Sequence, residues 1–449
     1  MLIKDLQTTY EIGEHPARDT LLSLERNFIP PLPDRASINP ESVMYAQVGE
    51  IAVATGSIGT FVPNEEIIEA VQKGNVATSE EPQRIRGLGF QGGFRLRHEV
   101  NTRDPEYQER YTAATIAELA QQVATQRDWD GIDVLIIGSS TIIDEVPEMV
   151  SVQLAPTLSV GHVMHNHMAC SSGGEGIIDG ALMGEGSNLR VVSVGIDELS
   201  ALTNFDPVTF ATFSDGAAAI AFESREIEVL AGSTVVERDK NNILTIGPFS
   251  TLPDESTHTI DESRRSARFK VQDDDTAKYF RHSRTGTYLA IPGTGLDPLD
   301  MNAYRTHGFF VMGNTPRHAA EILYPYRWDI SAFNGHQPSK EVVKGVNTML
   351  IRHMLQLGGV PLAEAKKIVK SFQGMDEEER RSILQQYDLP YLQLPWDMVH
   401  TKFSNVSAAT SLIQFCYAAQ QGRMKPGDTI AEQFMGVGNT YGTYVLRLH

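Results

Sequence analysis

Three apolar runs constrain what this chain can fold into: Asp133-Val134-Leu135-Ile136-Ile137-Gly138, Arg190-Val191-Val192-Ser193-Val194-Gly195 and Gly216-Ala217-Ala218-Ala219-Ile220-Ala221-Phe222. Each has the length of a strand and stays apolar at successive positions. Such runs are buried on both faces, as strands are when helices cover both sides of their sheet. Between them lie helical patterns. Tyr111 to Arg127 is Ala-rich and amphipathic, and Ile177, Ile178, Ala181, Leu182 and Met183 recur near a 3.6 period. Alternating strands and helices predict an α/β layered fold.

The pattern occurs twice. Trp129-Asp130-Gly131-Ile132-Asp133 and the strand after it resemble Trp328-Asp329-Ile330-Ser331-Ala332-Phe333, each ending in a polar loop. Cys170-Ser171-Ser172, a helix and the strand to Gly195 resemble Asn405-Val406-Ser407, a helix and the strand to Gly436. This divides the chain into an irregular N-terminal arm over residues 1–47, rich in Pro and charge, and a first half over 48–236. A polar insertion follows over 237–284, then a second half over 285–449 with a charged helical insertion at 363–396. The polar insertion reads as a long excursion, rich in Asp, Ser and Thr.

Bulk properties exclude several functions. The chain has 449 residues and a formal net charge of −19, which argues against nucleic-acid binding. Two short basic runs, Arg264-Arg265 with Arg268 and Lys270, and Arg84, Arg86, Arg95, Arg97 and His98, read as solvated surface or as docking patches for an acidic partner. No apolar run is long enough for a bilayer and no secretion signal opens the chain; a cytoplasmic protein is expected. Two distant cysteines, Cys170 and Cys416, fit a reducing compartment rather than a disulfide framework.

Cys170 stands between an extended run and a helix, among small residues: Met168-Ala169-Cys170-Ser171-Ser172-Gly173-Gly174. A thiol at a helix N-terminus is biased toward thiolate, although a buried structural cysteine fits the local pattern equally well. His336 follows an apolar strand and precedes Gln337-Pro338-Ser339-Lys340, a helix start that would keep its imidazole neutral. The Asn405 amide is a donor that does not titrate. Cys170, His336 and Asn405 together suit acyl transfer through a thioester. Gly436, Val437 and Gly438 could complete an oxyanion hole with the Cys170 N–H. His162, His165, His167 and Cys170 could suggest metal ligands; the preferred reading is packing, with no metal. Asp197-Glu198, after a strand end, and Cys416, on an apolar helix face, read as structural.

In order along the chain, Ala169-Cys170-Ser171-Ser172-Gly173, Phe213-Ser214-Asp215-Gly216, Gly335-His336-Gln337-Pro338, Ser404-Asn405-Val406-Ser407-Ala408-Ala409, Lys425-Pro426-Gly427-Asp428 and Gly436-Val437-Gly438-Asn439-Thr440-Tyr441-Gly442 resemble the thiolase superfamily, and within it the beta-ketoacyl-acyl-carrier-protein synthase III group. The likeness covers residues 50–449 apart from the insertions. It implies a five-layered α-β-α-β-α fold built from two pseudo-repeated halves, and a homodimer with Asp144-Glu145-Val146-Pro147 at the dimer-interface loop. By resemblance Cys170 is acylated, and His336 and Asn405 promote decarboxylation of a malonyl-type or beta-ketoacyl thioester before a Claisen condensation. The substrates would be thioesters of coenzyme A or of an acyl carrier protein, with no bound cofactor, in specialised fatty-acid or polyketide biosynthesis. Departures from the pattern mark a specialised member: Glu81 to Gly87 lacks the tryptophan that stacks on coenzyme A, Val437 and Asn439 interrupt the glycine run, and Glu175 adds a charge near the nucleophile. Two other roles fit the same residues, namely transfer of the acyl group from Cys170 to a hydroxyl or amine, and a non-catalytic partner subunit.

Overall fold

A computed structural model describes residues 38–73, 81–95, 105–140, 146–166, 169–184, 187–199, 211–236, 245–248, 287–290, 310–395, 402–436 and 440–449. Their centre is a pair of sheets. The first has six strands: β1 (Ile38–Val48), β2 (Ile51–Ile58), β5 (Gly131–Gly138), β6 (Ser159–Asn166), β7 (Arg190–Glu198) and β8 (Asp215–Glu223), in the order β1-β2-β8-β7-β5-β6. The short strands β3 (Thr60–Pro63) and β4 (Gly92–Arg95) pair with each other. The second main sheet orders β12 (Ile330–Gly335), β13 (Thr429–Gly436), β14 (Thr440–Leu448) and β9 (Ile227–Val236).

The two sheets repeat one pairing pattern. β5 is parallel to β7, β7 antiparallel to β8, and β8 antiparallel to β2. In the second sheet β12 is parallel to β13, β13 antiparallel to β14, and β14 antiparallel to β9.

Alternation along single strands sorts side chains into layers. On β8, Ala217, Ala219 and Ala221 face a core shared with α3 (Pro105–Gln126) and α4 (Val146–Leu154). Ala218, Ile220 and Phe222 face the opposite core, shared with α5 (Ser172–Met183) and α10 (Thr410–Gln420). On β13, Ile430 and Phe434 join that central core, while Ala431 joins a third under α6 (Thr315–Leu323) and α7 (Lys340–Leu357). The result is five layers, α-β-α-β-α, with α5 and α10 between the sheets. The remaining helices are α1 (Asn64–Lys73), α2 (Glu81–Gly87), α8 (Leu362–Ser371) and α9 (Glu377–Gln385).

Two expectations change. Regular structure begins at Ile38 rather than Val48, because β1 adds an edge strand to the first sheet. Met44 and Ala46 pack inward and Val48 is buried, whereas Tyr45 is exposed. Pro40 falls in the register shift between Asn39 and Met44, where an edge strand tolerates it. The polar excursion holds β10 (Thr245–Pro248), which pairs with β11 (Thr287–Ala290) just past its expected end. The rest of 237–284 lies outside the described residues, as do Arg97, His98, Asp144, Glu145, His167 and the basic run from Arg264. Over residues 363–396, α8 and α9 bury Ala365, Ile368 and Leu384 in the third core.

Candidate active site

Cys170 lies in a single 3-10 turn, Ala169–Ser171, that links β6 to α5. It is partly exposed, while Ser171 through Ile178 behind it are buried. Small residues let this helix start approach the second half closely. A Cβ added at Gly173 would overlap the Ala408 carbonyl oxygen, and one at Gly195 would come within 2.6 Å of that oxygen.

The facing turn is Ser407–Ala409, which begins α10. The Ser407 hydroxyl donates to Cys170 Sγ at 3.1 Å, and Ser140 Oγ lies 3.4 Å from Ser407 Oγ. Ser407 has a φ of +47°, a left-handed conformation uncommon outside glycine and a mark of a functional turn. Asn405 precedes it and is 3% exposed. Its backbone N–H donates to Thr212 O at 2.9 Å, and its carbonyl accepts from Ser214 N–H at 3.1 Å. Asn405 Oδ1 accepts the Ser407 N–H at 2.9 Å. That bond assigns the carbonyl end of the amide, so the NH₂ end is the one left to act as donor.

His336 comes from the other sheet. It directly follows β12, is 2% exposed, and donates its backbone N–H to Gln433 O on β13 at 2.9 Å. β13 in turn packs against the Cys170 turn. The histidine does not occupy a helix start, contrary to expectation. α7 begins at Lys340, and its N-cap is Ser339, which accepts the Val342 N–H at 3.3 Å. Gly436 ends β13, opposite Thr440 on β14. Val437 and Gly438 lie outside the described residues.

Sequence reasoning assigned Asp197 a structural place, but the fold puts it behind the nucleophile. Asp197 is fully buried near the end of β7. Its Oδ1 accepts the Ser139 hydroxyl at 2.9 Å and the Ser140 N–H at 2.7 Å; its Oδ2 accepts the Ala408 N–H at 3.0 Å. The hydroxyls of Ser407 and Ser140 also hydrogen-bond to it. Burial raises its pKa, and these donors oppose the rise. The available signal was an acid closing an otherwise apolar strand. Burying a carboxylate there without partners is costly, so its partners identify a built site.

Cys416 is a core residue as expected. It is fully buried, and burial pushes its thiol up to about 12.

No family model matches the sequence, and no curated protein matches it. Solved structures do. The 3-oxoacyl-[acyl-carrier-protein] synthase III of Aquifex aeolicus aligns with a TM-score of 0.55 at 17% identity, over 90% of this chain and 99% of its own. The chain has the fold of the thiolase-like condensing enzymes. The 1,3,6,8-tetrahydroxynaphthalene synthase of Streptomyces coelicolor, a type III polyketide synthase, aligns with a TM-score of 0.57 at 12% identity, over 90% and 99%. A point variant of OleA from Xanthomonas campestris aligns with a TM-score of 0.53 at 12% identity, over the same shares. The match spans nearly the whole of these proteins, so the five layers and their order, not a local motif, are shared.

Proposed function

We propose that this chain is a ketosynthase III-like condensing enzyme. The observation that supports it best is the 3.1 Å contact of Ser407 with Cys170, which sets the Asn405 turn against the thiol. Cys170 attacks an acyl thioester; the donor thiolate leaves and an acyl-cysteine forms. A malonyl-type thioester then binds, its carbonyl oxygen accepting hydrogen bonds from the Asn405 NH₂ group and the His336 imidazole. Loss of carbon dioxide leaves an enolate held by those donors. The carbanion attacks the acyl carbonyl, and Cys170 leaves as thiolate. The Cys170 N–H binds the oxyanion. The substrates are coenzyme A or carrier-protein thioesters, and no bound cofactor is needed. The working form is a homodimer in the cytoplasm.

Intact-protein mass spectrometry after incubation with acyl-coenzyme A esters and acyl carrier proteins tests this. Acylation of the native protein and none of Cys170→Ala is expected, followed by carbon dioxide release and a beta-keto product with a malonyl-type thioester. Acylation with transfer to an alcohol or amine and no carbon dioxide would mean a simple acyltransferase. No acylation by any thioester would sink the enzyme reading and leave a partner subunit.

A further inference from the structure

Asp197 and Ser407 have no part in the condensation above, yet Ser407 lies against its nucleophile and Asp197 accepts the N–H of the next residue, Ala408. Asp197 is buried on the face of β7 that looks into the central layer. Ser193, on the same face, lies against Gly176 of α5. Ser407 Oγ donates to Cys170 Sγ, the Asp197 carboxylate accepts the N–H of the next residue, Ala408, and the Ser407 hydroxyl is among the donors that hold the Asp197 pKa down. A hydroxyl has one proton to give and two lone pairs. It can donate to Asp197 while accepting the thiol proton, or donate to the sulfur once that proton has gone. The 3.1 Å contact between Ser407 Oγ and Cys170 Sγ is the distance both arrangements need.

We propose that Ser407 and Asp197 form the path by which Cys170 loses its proton, Ser407 being a catalytic residue and Asp197 the positioning residue that receives the proton through it. The inference rests on the acyl-cysteine reading and deepens it. The Cys170 S–H bond breaks as an O–H bond forms on Ser407. The original Ser407 O–H bond breaks as its proton binds Asp197. A thiolate and a carboxylic acid result, with total charge unchanged. When the thiolate attacks the acyl donor, the expelled donor thiolate takes that proton back by the same path. His336 then has no proton to accept from Cys170 and donates to the substrate oxygen.

Several features of the site fit this path. The N–H groups of Ser140 and Ala408 hold the carboxylate whether or not Ser407 donates. The left-handed turn at Ser407 is what brings its hydroxyl within reach of the sulfur. Burial narrows the ordinary gap between carboxyl and thiol pKa values. The other acids nearby belong elsewhere. Glu198 faces α3, where it accepts from Thr112 Oγ1 at 2.6 Å, and Asp215 pairs across from it on β8. Glu175 bonds to Thr234, and Glu432 to Asn334.

The test needs no substrate. Alkylation of native protein by iodoacetamide is followed at Cys170 across pH by intact mass, for wild type, Ser407→Ala, Asp197→Asn and the double variant. A roughly ten-fold slower reaction at neutral pH is expected for Ser407→Ala, converging with wild type at high pH. Asp197→Asn is expected to slow the reaction too, and the double variant to be no slower than Ser407→Ala. If Asp197 were only a neighbouring negative charge, Asp197→Asn would instead speed alkylation. That result, or superimposable wild-type and Ser407→Ala profiles, overturns the proposal. If Asp197→Asn does not fold, the Ser407→Ala profile alone decides. Failure of every thioester to acylate wild type would refute the function reading and leave these alkylation results standing.

Discussion

Glu175 sits on α5, five residues beyond Cys170, and shows how burial rather than sequence sets a residue's charge. Its carboxylate accepts from Thr234 Oγ1 at 2.8 and 3.0 Å, and Tyr444 OH lies 2.9 Å from the same hydroxyl. Burial, reinforced by the charge of Asp179, pushes Glu175 up to about 7; burial alone pushes Asp179 up to about 6. A raised carboxyl pKa means that folding favours the protonated form. The associated stability is present below the ordinary value of 4.5 and is lost as pH rises through about 7. Glu175→Gln should therefore stabilise the protein by about 3 kcal/mol at pH 8 and by almost nothing at pH ~4.5. Urea unfolding of both proteins at the two pH values checks this. The sequence flagged Glu175 as a charge near the nucleophile. Its pairing with Asp179, Thr234 and Tyr444 comes from three separated segments, which only packing brings together.

At the scale of elements, the contact between α5 and the Ser407–Ala409 turn joins the two halves. Gly173 has no side chain because the Ala408 carbonyl occupies the space a Cβ would need. Gly173→Ala should cost about 1–3 kcal/mol, by overpacking, and should slow thioester acylation of Cys170 by more than its loss of folded protein explains. Thermal unfolding beside single-turnover acylation separates the two. Strand and helix types were legible here because hydrophobic period sets them: 3.6 in α5, uniform apolarity in β7 and β8. The ends of elements were less legible. β1 carries a Pro and a register shift that disguise its alternation, and α7 starts at the Ser339 cap rather than at His336.

Across the whole molecule, the two cysteines report opposite environments. Cys416 is sealed between α10 and the first sheet, its thiol pushed up to about 12, whereas Cys170 is partly exposed. Thiol titration of native protein should find one fast group, lost in Cys170→Ala, and a second that reacts only on global unfolding. Thiol counting with and without denaturant checks this. The repeated α/β pattern, the ordered motifs around Cys170, His336 and Asn405, and the burial of Cys416 are legible in the chain alone, because each is written in local periodicity and composition. Packing alone decides that Asp197 stands behind Ser407 and that Ser407 reaches the sulfur. Those facts depend on contacts between segments far apart in the chain, and the crossing of β7, the Cys170 turn and the Ser407 turn exists only once the two halves are packed.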